Sequence, residues 1–144
     1  VNDVKETLAF RLGTLGTLMQ DRFAAKVASY ELKPKHVGLM AVLRDGTAAA
    51  SQQDLAARLG VAPSLIVALA DHLERLGAVE RVRDPGDRRR QTLALTERGA
   101  DLLARCVEAA RELDDEIAAS LSPPQRAALH EALGRLAAGA GLPH

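Results

Sequence analysis

Between Ser51 and Leu95 the chain runs through two short helical patterns and then two extended ones, and this order restricts the fold more than any other feature. Ser51 is a strong N-cap with Asp54 three residues on, a variant of the capping box. Leu55, Ala56 and Leu59 form the inner face of the helix that follows, Gly60 supplies a tight turn and Val61 packs beneath it. Pro63 suits a first helical position, and Ile66, Leu69, Ala70, Leu73 and Leu76 recur as the buried face of a second helix that Gly77 stops. Ser51 to Gly77 is therefore a helix-turn-helix pattern. An extended stretch over Ala78–Arg83, a turn at Asp84-Pro85-Gly86-Asp87 and a second extended stretch through Gln91–Leu95 add a two-stranded hairpin with a basic tip, a wing on the helix-turn-helix.

Long helical patterns flank this module. From Asp3 to Ser29 apolar residues recur at Val4, Leu8, Leu12, Leu15, Met19, Phe23 and Val27, the spacing of one buried stripe. Pro34 opens a short helix that ends before Asp45-Gly46. After the hairpin, Thr96 caps a long helix with Leu102/Leu103, Cys106/Val107, Ala110, Leu113, Ile117 and Leu121, and Ser122-Pro123-Pro124-Gln125 opens a last helix with Leu129, Leu133 and Leu136. The fold class expected is mainly α with a small β-hairpin wing. The small central module is too small to cover the apolar faces of the first and last helices, so a homodimer is expected in which they pair.

Composition narrows the function. The chain has 144 residues, the size of one domain, and nineteen bases balance nineteen acids. The balance is local rather than uniform: residues 81–90 carry Arg81, Arg83, Arg88, Arg89 and Arg90 against Asp84 and Asp87, a surplus of three. Residues 100–144 carry four bases against seven acids. Screening confines each charge's reach to about 8 Å at physiological salt, so a local surplus is what phosphate contact requires. Aromatic residues make up only 2% of the chain, with no Trp, which argues against base-stacking platforms. The single cysteine, Cys106, excludes an intrachain disulfide and a CxxC motif. The four histidines show no metal-ligand spacing, and no nucleophile–base pair or phosphate-cradling glycine loop suggests catalysis, so no metal, cofactor or enzymatic activity is expected. No apolar run is long enough for a bilayer and Val1–Glu6 does not read as a secretory signal, so a cytoplasmic protein without membrane contact is expected.

The stretches Ser51-Gln52-Gln53-Asp54-Leu55-Ala56-Ala57-Arg58-Leu59-Gly60-Val61 and Asp71-His72-Leu73-Glu74-Arg75-Leu76-Gly77-Ala78-Val79-Glu80-Arg81, followed by Asp87-Arg88-Arg89-Arg90-Gln91-Thr92-Leu93-Ala94-Leu95-Thr96-Glu97-Arg98-Gly99, resemble the MarR family of winged helix-turn-helix transcriptional regulators. The helix order matches over nearly the whole chain. The resemblance implies a single domain over 1–144, with 1–33 and 97–144 as dimerisation helices and 34–96 as the winged helix-turn-helix. It implies a dimer that sets two recognition helices in successive major grooves of a near-palindromic double-stranded DNA operator, most often as a repressor released by a small effector.

The residues it assigns to DNA are Ser51 and Gln52 on phosphates, the recognition-helix face of Pro63, Ser64, Leu65, Val67, Ala68 and His72, and the wing arginines Arg83, Arg88, Arg89 and Arg90. Arg89 aligns with the family's minor-groove arginine and Asp87 with the acid that braces the wing. The recognition helix departs from the family pattern: Ala62 stands where a serine cap is common, and Val67-Ala68 where Thr-Arg or Ser-Arg is common. That face offers no arginine or amide for bidentate base contact, which leaves thymine methyls and groove shape as the readout. Relatives bind small aromatic or anionic effectors between the dimer helices and the winged module, where Arg11, Leu15, Met19, His36 and Met40 are the candidates here. Two other readings stay open: a winged-helix protein-interaction module with little DNA binding, and a redox-responsive regulator centred on Cys106.

Overall fold

The structure, a computed structural model, describes residues 2–46 and 50–144, with the side chains of residues 50, 88 and 90 outside that description. The chain forms helices α1 (Leu8–Val27), α2 (Pro34–Asp45), α3 (Gln52–Leu59), α4 (Pro63–Arg75), α5 (Glu97–Ile117) and α6 (Pro123–Gly139) and a small sheet of β1 (Ala50–Ser51), β2 (Val79–Asp84) and β3 (Asp87–Leu95). Local chemistry sets the boundaries. The Thr7 hydroxyl accepts the Phe10 N–H at 3.2 Å and starts α1, so the expected helix over 3–29 is shortened, with a 3-10 turn at each end. The Ser122 hydroxyl accepts the Gln125 N–H while Gln125 accepts the Ser122 N–H, the reciprocal cap that opens α6.

The core lies where α2, α4 and α5 meet the sheet. Leu39, Met40, Leu55, Ile66, Leu73, Leu103 and Cys106 are all but fully enclosed there. Residue Gly77, at φ +74, turns the chain out of α4 into β2, a conformation open to glycine at little cost. The Thr96 hydroxyl donates to the Gly77 carbonyl at 2.6 Å and accepts the Gly99 N–H at 3.0 Å, which ties the start of α5 to the end of α4.

Two expectations change. The hairpin is part of a three-stranded antiparallel sheet of order β1-β3-β2, because Ala50 pairs with Leu93 and Ser51 with Thr92. The apolar stripe of α1 is buried only at its C-terminal end: Val27 is enclosed and Phe23 packs on the core, while Leu8, Leu12 and Leu15 stand exposed. On α6 no residue is buried, and Leu129, Leu133 and Leu136 are open.

Candidate nucleic-acid interface

The helix-turn-helix begins at a reciprocal cap: the Asp54 N–H donates to the Ser51 hydroxyl at 3.2 Å, and the Ser51 N–H donates to the Asp54 carboxylate at 3.3 Å. Gly60 ends α3 at φ +65. Ala62 then precedes α4 with no side-chain hydrogen bond to its first turn, as its side chain dictates. Helix α4 buries Ile66, Leu69, Ala70 and Leu73. Pro63, Ser64, Val67 and Ala68 are exposed on its outer surface. Two assigned residues are placed elsewhere. Leu65 packs against the core from the flank of α4. His72 turns inward, its Nε2–H donating to the Glu31 carbonyl at 2.6 Å, so it is engaged with protein rather than facing a groove. Arg75 is a residue that the sequence pattern does not single out: it is exposed, and spacings of four, three and four from Ser64 through Ala68 and Asp71 put it on the same face.

The wing is shaped by its acids. The Asp84 carboxylate accepts the Gly86 N–H at 2.9 Å, closing the turn, and the Asp87 carboxylate accepts the Arg89 N–H at 3.0 Å. Asp87 thus braces the backbone from which Arg89 springs. Thr92, buried, donates to the Val82 carbonyl at 2.9 Å and holds the two strands together beneath the tip. Arg83 and Arg89 are exposed; the side chains of Arg88 and Arg90 lie outside the described residues. Because alternate residues of a strand share a face, Arg89 and Gln91 point the same way. With Ser51, Gln52 and Gln53 they line a groove of about 450 Å³. Ser51, Gln52 and Arg89 thereby lie together, and Gln53 and Gln91 join them. The β1–β3 pairing that causes this leaves no mark in the local sequence pattern.

Arg81 does not belong to the basic tip. It donates to Asp71 at 2.5 Å and to Glu74 at 2.7 Å, both on α4. The hydrogen bond to Asp71, with the charge of Glu74, holds its pKa above the ordinary arginine value. The tip surplus is therefore two, from Arg83, Arg88, Arg89 and Arg90 against Asp84 and Asp87. In return the two carboxylates on α4 share one guanidinium, which lowers their net charge from −2 to −1.

The five effector candidates have different surroundings within a single chain. Met40 is fully enclosed in the core. His36 is buried, stacked on His72 with ring centroids 4.4 Å apart, and its Nδ1 accepts the Lys33 N–H at 2.9 Å. Arg11 and Leu15 are exposed on the free half of α1, where Arg11 donates to the Lys5 carbonyl, and Met19 is half-buried. A separate cleft of about 360 Å³ lies under Tyr30, Arg98 and Arg105. Cys106 is 1% exposed, and burial pushes its thiol pKa up, which suppresses the thiolate that oxidant sensing needs.

Burial, then the charges of His72 and Lys33, lower the His36 pKa from 6.5 to about 4. A depressed pKa contributes stability above pH 6.5 that is lost as the pH falls through about 4. We expect the melting temperature to fall over this window at fixed protein concentration, and a His36→Gln variant to show a shallower fall. Equal slopes would remove His36 from the acid response.

The family model for the MarR family matches residues 30–90, from just after α1 into β3 of the wing. A candidate transcriptional regulatory protein for the hcr operon of Thauera aromatica is 33% identical over 127 residues, 88% of this chain and 75% of that one. The HTH-type transcriptional regulator PecS of Dickeya dadantii is 32% identical over 130 residues, 87% of this chain and 78% of its own. Among solved structures, the transcriptional repressor CouR bound to a 23-mer DNA duplex superposes with a TM-score of 0.81 at 29% identity, covering 94% of this chain and 96% of that one. CouR from Rhodococcus jostii RHA1 bound to p-coumaroyl-CoA gives a TM-score of 0.78 at 23% identity, over 95% and 96% of the two chains. No single helix among the described residues is long and apolar enough to cross a membrane. With its winged helix-turn-helix and relatives that are regulators rather than enzymes, the chain belongs to the MarR family of DNA-binding transcriptional regulators.

Proposed function

We propose that the chain works in the cytoplasm as a homodimeric repressor that reads a near-palindromic operator and is released by a small effector. The observation that carries this reading is the groove uniting Arg89 and Gln91 of the wing with Ser51, Gln52 and Gln53 at the start of α3. It joins an exposed guanidinium to the end of a helix where backbone N–H groups attract phosphate. Residues 1–33 and 97–144 form the dimer in this reading, with 34–96 as the DNA-binding module. Exposed Leu8, Leu12 and Leu15 on α1, and Leu129, Leu133 and Leu136 on α6, support it, since a lone chain would leave these apolar faces in water.

A two-fold axis then presents the two α4 helices to half-sites roughly 34–36 Å apart. Val67 and Ala68 offer methyl groups to thymine, Ser64 a hydroxyl, and Arg89 enters the adjoining minor groove, where narrow AT-rich sequence concentrates negative potential. CouR, bound to DNA in one structure and to p-coumaroyl-CoA in another, supports both the DNA and the effector parts of the reading. Derepression needs only an effector that prefers the non-binding geometry; a hundredfold preference is about 2.7 kcal/mol.

Titration of an Arg89→Ala variant against duplex DNA across salt concentrations tests the wing. Binding should weaken on all sequences, and the slope of log affinity against log salt should become shallower by about 0.9 for each phosphate that a subunit no longer neutralises. An unchanged slope would show that Arg89 meets no phosphate. Sedimentation of the free protein as a monomer at micromolar concentration would rule out the dimer.

A further inference from the structure

Helix α4 rests on the core along Ile66, Leu69, Ala70 and Leu73. Apolar burial is non-directional, so this stripe alone leaves α4 free to slip and rotate slightly about its axis. His72 supplies a directional contact. A carbonyl oxygen only accepts, so the 2.6 Å bond to Glu31 requires the His72 ring to carry its proton on Nε2. The other face of the contact is equally constrained: His36 stacks on His72 with the planes 24° apart, and the Lys33 N–H aimed at its Nδ1 fixes that ring in turn. Glu31 itself is the one non-glycine residue with positive φ among those described, at 60°, a conformation disfavoured for residues with a side chain. Its carbonyl is the one that His72 reaches. Glu31, Lys33 and His36, all from one short stretch before and into α2, thus converge with His72 on one flank of α4.

We propose that His72 is a positioning residue for DNA recognition: through Glu31 and His36 it sets the rotation of α4, and so decides which outward side chains meet the base edges. The inference rests on the DNA-reading function proposed above. The chemistry of the outer face makes rotation matter. Ser64, Val67 and Ala68 are short, with few or no torsions to adjust, and a gap of 0.5–1 Å already forfeits about a quarter to a half of a van der Waals contact. A long side chain such as Arg75, about two turns further along that face, follows a misplaced helix; these three do not.

The test compares His72→Ala and His72→Gln with the wild-type chain on two duplexes of equal length, one selected by the wild-type protein from a random library and one of unselected sequence. The alanine variant should lose about tenfold in affinity for the selected duplex, the effect of one well-placed hydrogen bond. Its low-salt affinity for the unselected duplex, which depends on phosphates, should stay as in the wild type. Glutamine, which keeps an N–H donor at similar reach, should restore most of the loss. Full affinity in the alanine variant, an equal loss on both duplexes (the mark of a general folding defect), or a glutamine variant as weak as alanine each overturns the assignment. A wild-type protein that enriches no duplex is a different result, and it overturns the DNA reading together with this inference.

Discussion

Replacing Gly99 with alanine is expected to destabilise the fold by about 3 kcal/mol or more, the upper range for forcing an extra methyl into a packed site. Gly99 is buried in the first turn of α5, where the helix crosses the strand entry at Ala78. A Cβ there would lie 2.0 Å from the Ala78 carbonyl oxygen and 2.7 Å from a methyl of Leu95. The carbonyl is backbone and already accepts the Thr96 N–H at 3.0 Å, so it cannot turn aside without loosening the cap of α5. A loss of this size is a large share of the roughly 5–15 kcal/mol that holds a typical domain. Urea unfolding at fixed protein concentration measures it. A midpoint close to the wild type would show that α5 can lift from the strand at little cost.

The second large effect is on DNA. Arg81→Met keeps most of the aliphatic volume and leaves Asp71 and Glu74 uncompensated on the recognition helix. A pair of charges 8 Å apart in water interacts by about 0.5 kcal/mol. Arg81 supplies one charge per subunit, so a dimer of the variant would bring two more uncompensated negative charges to the duplex, each near about two or three phosphates. The expected loss is therefore roughly 30- to 100-fold in affinity at low salt, shrinking as salt screens the repulsion. Stability should change far less, since Asp71 and Glu74 are 49% and 45% exposed and exposed ion pairs contribute about 0–1 kcal/mol. Anisotropy titrations at two salt concentrations measure the effect. A triple variant that adds Asp71→Asn and Glu74→Gln should recover much of the affinity; if it does not, Arg81 acts by something other than neutralisation.

What can be read from the sequence is mostly chemistry spanning three or four residues. The caps at Ser51, Thr96 and Ser122, the glycine exits at Gly60 and Gly77, and the buried stripe of α4 each depend on near neighbours, and each is found where its residues place it. Pairings that span the chain are not legible. The short β1 carries no periodicity, and its partner β3 lies some forty residues on. Arg81 reads as one more basic residue of the tip because its partners sit on the preceding helix. The sequence reading puts Leu65 and His72 on the outward face of α4, and only the tertiary packing shows Leu65 against the core and His72 held by Glu31 and His36. The effector candidates follow the family's cleft between modules. In this chain Met40 has gone into the core and His36 into the stack, while Arg11 and Leu15 stand on a half-helix that its own chain does not cover.

The short pairing of Ser51 with Thr92 gives the wing a property that a free-standing hairpin lacks. Tip and helix foot are one solid part, so the span from Arg89 to Gln52 behaves like the fixed opening of a calliper. If Arg89 and Gln52 both meet phosphates, as proposed above, duplexes whose backbone rails lie too far apart or too close together engage only one jaw. Under the DNA reading proposed above, targets are then graded by their winding and width before any letter of the sequence is compared.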